Sequence, residues 1–91
     1  MKNIIVLSHQ VKNYSDWKKN FDSDETHRQQ FGIRTIDVLT AVDNENSITA
    51  FFETSDMAKF NAFVSSPELK AAMEKGGVIS APEIKVLVSK N

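Results

Sequence analysis

The sequence predicts an α+β domain in which four strands form an antiparallel sheet and two helices cover one of its faces, in the order βαββαβ. Three observations carry this. There are four short runs rich in β-branched or alternating apolar residues, two longer stretches whose apolar residues recur at helical spacing, and turn-forming residues between the two central strand runs.

The first strand is Ile4 to Val11, IIVLSHQV, too short and too β-branched for a typical helix. Asn13 or Ser15 can cap the helix that follows, in which Tyr14, Trp17 and Phe21 fall at i, i+3 and i+7, the spacing of one buried face; Gly32 is its stop. Residues 33–42 and 47–54 are the central strands. Between them Asp43-Asn44-Glu45-Asn46 suits a hairpin loop, and hence antiparallel pairing. Ser55 caps the second helix, whose Met57, Phe60, Phe63 and Val64 make one apolar face. Proline is welcome at a first helical position, so Ser66-Pro67-Glu68-Leu69 reads as a fresh capped start. Leu69, Ala72 and Met73 then point inward until Gly76-Gly77, and the second helix is a broken one. After Pro82, EIKVLV alternates into the last strand.

This order is the split βαβ pattern of ferredoxin-like folds, a single domain over residues 1–91. The parity expected to face the helices carries Ile36 and Val38, then Ile48, Ala50 and Phe52, then Ile84, Val86 and Val88. The opposite parity sets Leu39, Phe51 and Leu87 among Thr35, Asp37, Thr49, Glu53, Glu83 and Lys85. A mixed patch of that kind on so short a chain points to a homodimer through the helix-free sheet face.

Composition removes several function classes. Eleven basic against twelve acidic residues leave a net charge of −1 and no excess to attract a phosphate backbone, so nucleic acid is not an expected partner. The absence of cysteine excludes disulfides and thiolate zinc sites. The opening MKNIIVLSHQ has only four consecutive apolar residues before Ser8, too few for a signal peptide or a membrane span; a cytoplasmic protein with no membrane partner is expected. No Ser-His-Asp order, glycine-rich phosphate loop or paired-carboxylate motif is recognisable, which argues against hydrolases and nucleotide enzymes.

The segments VKNYSDWKKNFD, FFETSDMAKFNAFVSSPELKAAMEKGGV and APEIKVLV resemble small proteins of the dimeric α/β-barrel superfamily. That superfamily includes the antibiotic biosynthesis monooxygenase type and look-alikes labelled cyclase. The resemblance spans nearly the whole chain. Its most specific piece, Ser66-Pro67-Glu68-Leu69-Lys70 with Ala72-Met73 and Gly77-Val78, reads as capping and packing and identifies the scaffold. The resemblance implies two ferredoxin-like subunits packed sheet to sheet, each keeping a cavity between its own sheet and helices. Superfamily members use that cavity for cofactor-free oxidation of polyketide-like aromatics, haem degradation, ring closure and chlorite breakdown, so the fold does not choose among them. No catalytic motif of the family is matched residue by residue.

The candidate site residues come from the chain itself. His9 shares strand parity with Ile5, Leu7 and Val11; facing the helices it could be a general base, a haem or metal ligand, or a core histidine bonded to backbone. Continuing the Trp17–Phe21 line by helical spacing reaches Asp24, Arg28 and Phe31, which places two charges where the stripe should be apolar. Such a pair is either solvent-exposed or lines a wet cavity, and Arg28 suits a carboxylate or enolate oxygen. His27, about 100° round the helix from Arg28, falls at the pocket rim or, as the more ordinary reading, in solvent. Tyr14, Trp17, Phe60 and Phe63 offer aromatic surface on which a flat ligand could stack, although aromatic stripes at this spacing are more often plain core. His9, His27 and Asp24 lack the short ligand spacings of known metal motifs, so no metal is expected.

The leading reading is a small-molecule-binding dimeric α/β-barrel protein, a cofactor-independent monooxygenase or cyclase acting on a flat, partly apolar, enolisable substrate. In it His9 and Arg28 are catalytic, Trp17, Phe21, Asp24 and Phe63 bind the ligand, and no cofactor is required. One alternative is a non-catalytic structural or interaction module. The other is a haem-binding or haem-degrading protein with His9 or His27 as axial ligand.

Overall fold

The computed structural model describes Lys2–Val88 and Lys90. The chain runs β1 (Asn3–Gln10), α1 (Tyr14–Ser23), α2 (Glu25–Gln30), β2 (Ile33–Ala41), β3 (Asn44–Thr54), α3 (Met57–Val64), α4 (Pro67–Lys75) and β4 (Glu83–Val88). The strands form one four-stranded sheet in the order β2-β3-β1-β4, antiparallel at every pairing. This is the ferredoxin-like α+β fold.

Register decides which side chains meet the helices. Ile5 pairs with Phe52, Leu7 with Ala50 and His9 with Ile48. Of these, Ile5, His9, Ile48, Ala50 and Phe52 are buried, and with Ile33, Phe60 and Phe63 most of them build the main core. Val11, Trp17 and Ile48 form a second cluster at the far end of β1. That end is clamped from two sides: Val11 N–H donates to the Asn46 carbonyl, and Ile79 N–H donates to the Gln10 carbonyl, both at 2.9 Å.

Both helical stretches are broken. Asn13 caps α1 by accepting from Asp16 N–H at 3.1 Å, and Trp17 and Phe21 turn toward the sheet. Instead of running on to Gly32, the helix stops at Ser23. Asp24 leaves helical geometry (φ −96°, ψ 7°) and the short α2 starts afresh. The second break falls where the sequence predicts it: Ser66 Oγ accepts from Leu69 N–H at 3.2 Å, with Pro67 in the first turn of α4.

Other expectations shift. The cap of α3 is Asp56, which accepts from Lys59 N–H, rather than Ser55. The hairpin turn is Val42-Asp43, because Ala41 already pairs with Asn44, so Asn44–Asn46 belong to β3. A register shift between Thr35 and Asp37 takes Ile36 out of the alternation and leaves it exposed, while Thr35, opposite Phe52, takes the inner side. Ile84 and Val86 keep their expected parity opposite Leu7 and Ile5 but are more than two-fifths exposed, since β4 is a sheet edge whose inner side is only partly covered.

Candidate functional site

Between sheet and helices lies a cavity of about 130 Å³, walled chiefly by apolar side chains. His9, Trp17, Phe21, Asp24, Arg28 and Phe63, the six candidates from the sequence, all line it. β1 brings His9 in from the sheet, α1 brings Trp17 and Phe21, the break between α1 and α2 brings Asp24 and Arg28, and α3 brings Phe63.

Arg28 is 5% exposed and His9 7%, which makes them two of the few buried polar side chains of the fold. The Arg28 guanidinium lies over the Phe21 ring, 3.7 Å from its centre, and Nη1 donates to the Phe21 carbonyl at 2.9 Å. Its Nε is buried without a partner. The ion pairs among the described residues are Lys2–Glu53, Lys18–Asp22 and Arg34–Glu53, so the Asp24 carboxylate does not pair with Arg28 despite its i, i+4 spacing. Burial lowers the Arg28 pKa from its ordinary value, against the opposing charges of Asp24, Glu25 and Asp22.

The His9 ring stands edge-on to Trp17, centroids 5.5 Å apart, and Trp17 stacks on Phe21 at 4.8 Å. The Nδ1 of His9 is likewise buried and unpartnered. Burial pushes its pKa below the usual histidine value, and the residue's own backbone opposes this less strongly. At neutral pH the ring is therefore an uncharged imidazole with an available lone pair. A buried cation with an unused donor and a neutral imidazole with an unused acceptor position are thus linked through Trp17 and Phe21 along one apolar cavity. Such a pair can bind an anionic oxygen at one place and take a proton at another.

Asn20 joins these residues without having been expected. Its Nδ2 donates to the Ala72 carbonyl at 2.9 Å and ties α1 to α4 at the cavity wall. The signal was available, since Asn20 stands three residues after Trp17 on the same helical face. His27 departs from its expected solvent position: half-buried, it stacks on Phe31 at 5.2 Å and meets Phe63 edge-on at 5.5 Å, with Nε2 buried and unpartnered. It does not line the cavity. Among the described residues no three His, Asp or Glu side chains gather closely enough to hold a metal ion, and no helix is long and apolar enough to cross a membrane.

No protein-family model matches the chain, and no curated protein matches it. Solved structures do. A candidate antibiotic biosynthesis monooxygenase from Bordetella bronchiseptica superposes with a TM-score of 0.80 at 8% identity, covering 97% of this chain and 96% of that one. One from Caulobacter crescentus gives 0.77 at 14% identity, with 99% and 91% covered. SnoaB, a cofactor-independent oxygenase from Streptomyces nogalater, gives 0.73 at 12% identity, with 99% and 94% covered. At such identities the likeness is one of fold: this chain shares its ferredoxin-like fold with these antibiotic biosynthesis monooxygenase-like structures.

Proposed function

We propose that the protein binds a flat, partly apolar, enolisable small molecule between its sheet and helices and oxygenates it without a cofactor. The observation that carries this reading is the pair of nine-tenths-buried polar side chains, Arg28 and His9, each with an unsatisfied nitrogen on the same apolar cavity. Buried polar groups are as a rule hydrogen-bonded, so an unpaired nitrogen that faces a cavity calls for a partner there, a ligand or water. The fold's likeness to a cofactor-independent oxygenase supports the same direction.

In this reading Arg28 orients the charged end of the substrate, and His9 takes the proton whose loss makes it an enolate. Trp17, Phe21 and Phe63 hold the flat ring, and Asp24 contacts its polar margin. The enolate then reduces dioxygen. A carbon–oxygen bond forms to give a peroxide anion, which takes back the proton to become a hydroperoxide, and loss of water leaves a new carbonyl. In sum, a CH₂ group and O₂ give C=O and H₂O, so dioxygen is the only oxidant needed.

Oxygen-electrode screening of enolisable aryl ketones tests this. Uptake with the wild type, reduced about 10²- to 10⁴-fold in His9→Ala, is the expected result; uptake unaffected by both His9→Ala and Arg28→Gln would sink it. A purely structural module predicts a filled cavity, which 130 Å³ of open space does not favour. We further propose that the protein is a homodimer through the helix-free sheet face.

A further inference from the structure

We infer that the ligand is a monocyclic aromatic or enolic acid, a single ring carrying one anionic oxygen group toward Arg28 and one hydroxyl toward His9. The inference rests on the binding site proposed above and narrows what that site takes. Size is the first argument. A dry cavity of about 150 Å³ lined by aliphatic and aromatic side chains accommodates one benzene ring, and the cavity here, partly open to solvent, offers about 130 Å³. One ring fills it; a second fused ring has to reach out through its mouth.

Polarity is the second argument. The walls are apolar except where Asn20, Asp24, Arg28 and His9 enter. The Asn20 amide is already engaged with the Ala72 carbonyl. Arg28 retains a buried donor in Nε and has no carboxylate paired with it among the described residues, so the group it lacks is an anionic acceptor. His9 retains Nδ1 without a partner, and a hydroxyl can meet it in either tautomer, donating to a bare Nδ1 or accepting from Nδ1–H. The two sites are separated by the Trp17 and Phe21 rings, with spacings of 5.5, 4.8 and 3.7 Å along the series from His9 to Arg28. A ligand satisfying both therefore bears its two polar groups at separate positions on one ring. A neutral ring would leave the guanidinium uncompensated, and a ring without a hydroxyl would leave Nδ1 bare, each at the cost of a buried unsatisfied polar group.

Trp17 is the sole tryptophan, and it touches both His9 and Phe21, so its indole N–H resonance reports on the cavity. Four probes separate the requirements: 4-hydroxybenzoate, the isosteric but uncharged 4-hydroxybenzamide, benzoate, and 6-hydroxy-2-naphthoate. Titrated into the ¹⁵N-labelled protein, 4-hydroxybenzoate is expected to shift the indole resonance saturably. The amide and the deoxy compound should bind at least tenfold more weakly and the naphthoate more weakly still. Arg28→Lys, which keeps the charge, should retain part of the preference for acid over amide, and Arg28→Gln should abolish it. Naphthoate binding as tightly as the single ring would overturn the size claim while leaving the proposed function standing. Amide binding equal to the acid would overturn the anionic end. If no probe of either size moves the resonance, both the inference and the binding site on which it rests fall.

Discussion

The Arg28 guanidinium carbon lies 3.7 Å from the centre of the Phe21 ring while its Nη1 donates to the Phe21 carbonyl 2.9 Å away. One residue of α1 thus receives the cation on both its ring and its backbone. In a continuous helix residues seven apart are separated by about 10 Å along the axis, and the break at Asp24 is what folds Arg28 back onto Phe21. The chain bends its helix to put a charge where the apolar stripe pointed.

Replacing Arg28 by methionine separates a structural role from a binding one. A buried cation lacking a paired carboxylate is costly, and apolar residues of similar volume at such sites are often neutral or stabilising, while the lost bond to the Phe21 carbonyl costs about 1 kcal/mol. The expected outcome is an unfolding free energy within about 1 kcal/mol of wild type in urea, together with loss of binding to anionic ligands. Destabilisation by about 3–5 kcal/mol, the penalty for breaking a buried ion pair, would assign Arg28 to the scaffold instead.

Stability should also depend on pH through His9. Its pKa is lowered in the folded state by burial, so the unfolded chain binds the proton more readily. The His9 contribution is accordingly intact above the unfolded value of about 6.5 and is lost as pH falls from there toward the folded pKa, with a slope of at most about 1.4 kcal/mol per pH unit. Thermal melts of wild type and His9→Gln between pH 7.5 and 5 check this. The wild type should lose more stability than the variant on acidification, and parallel curves would contradict it.

Much of this site could be read in the sequence because the physics is local. Strand parity placed His9 inside, and helical spacing put Trp17, Phe21, Asp24 and Arg28 on one line. The break at Asp24 was visible only as a polar interruption, since neither proline nor glycine marks it. The bulge at Thr35/Asp37 left no signal, because Ile33, Ile36 and Val38 are apolar on both parities and allow either register. The depth of Arg28 and the packing of His27 against Phe31 and Phe63 depend on where α2 settles after the break, a tertiary outcome that periodicity does not encode.

The motif Ser66-Pro67 should prove structural. Ser66 Oγ accepts from Leu69 N–H at 3.2 Å and donates to the Phe63 carbonyl at 2.7 Å, so one hydroxyl closes α3 and opens α4. Ser66→Ala should cost about 1–2 kcal/mol in chemical denaturation, and Ser66→Asp, which restores the cap acceptor, should recover part of it. An unchanged midpoint in Ser66→Ala would show that the packing of Leu69 alone holds the break.

The last prediction concerns the face away from the cavity. On the helix-free side Phe51 pairs with Val6 and Asp37, Leu39 with Thr49, and Leu87 with Ile4, so an apolar band crosses all four strands. At its margin Glu53 is held by Arg34 at 2.7 Å and by Lys2 at 3.5 Å, and these charges keep its carboxyl below the usual range. An apolar band bounded by compensated charges suits face-to-face sheet packing, with the two sheets about 10 Å apart. Sedimentation equilibrium at micromolar concentration should therefore give twice the chain mass. Phe51→Glu would add a charge to each copy in the middle of that band, and the mass should fall to one chain. Because neighbouring residues of a strand point to opposite faces, Phe51 lies across the sheet from the cavity that Phe52 lines. The Trp17 indole resonance should then stay where it is, and its movement would mean that the substitution disturbed the fold rather than the association. A wild-type protein that sediments as a monomer at this concentration removes the dimer, while the cavity reading, built within one subunit, survives that result.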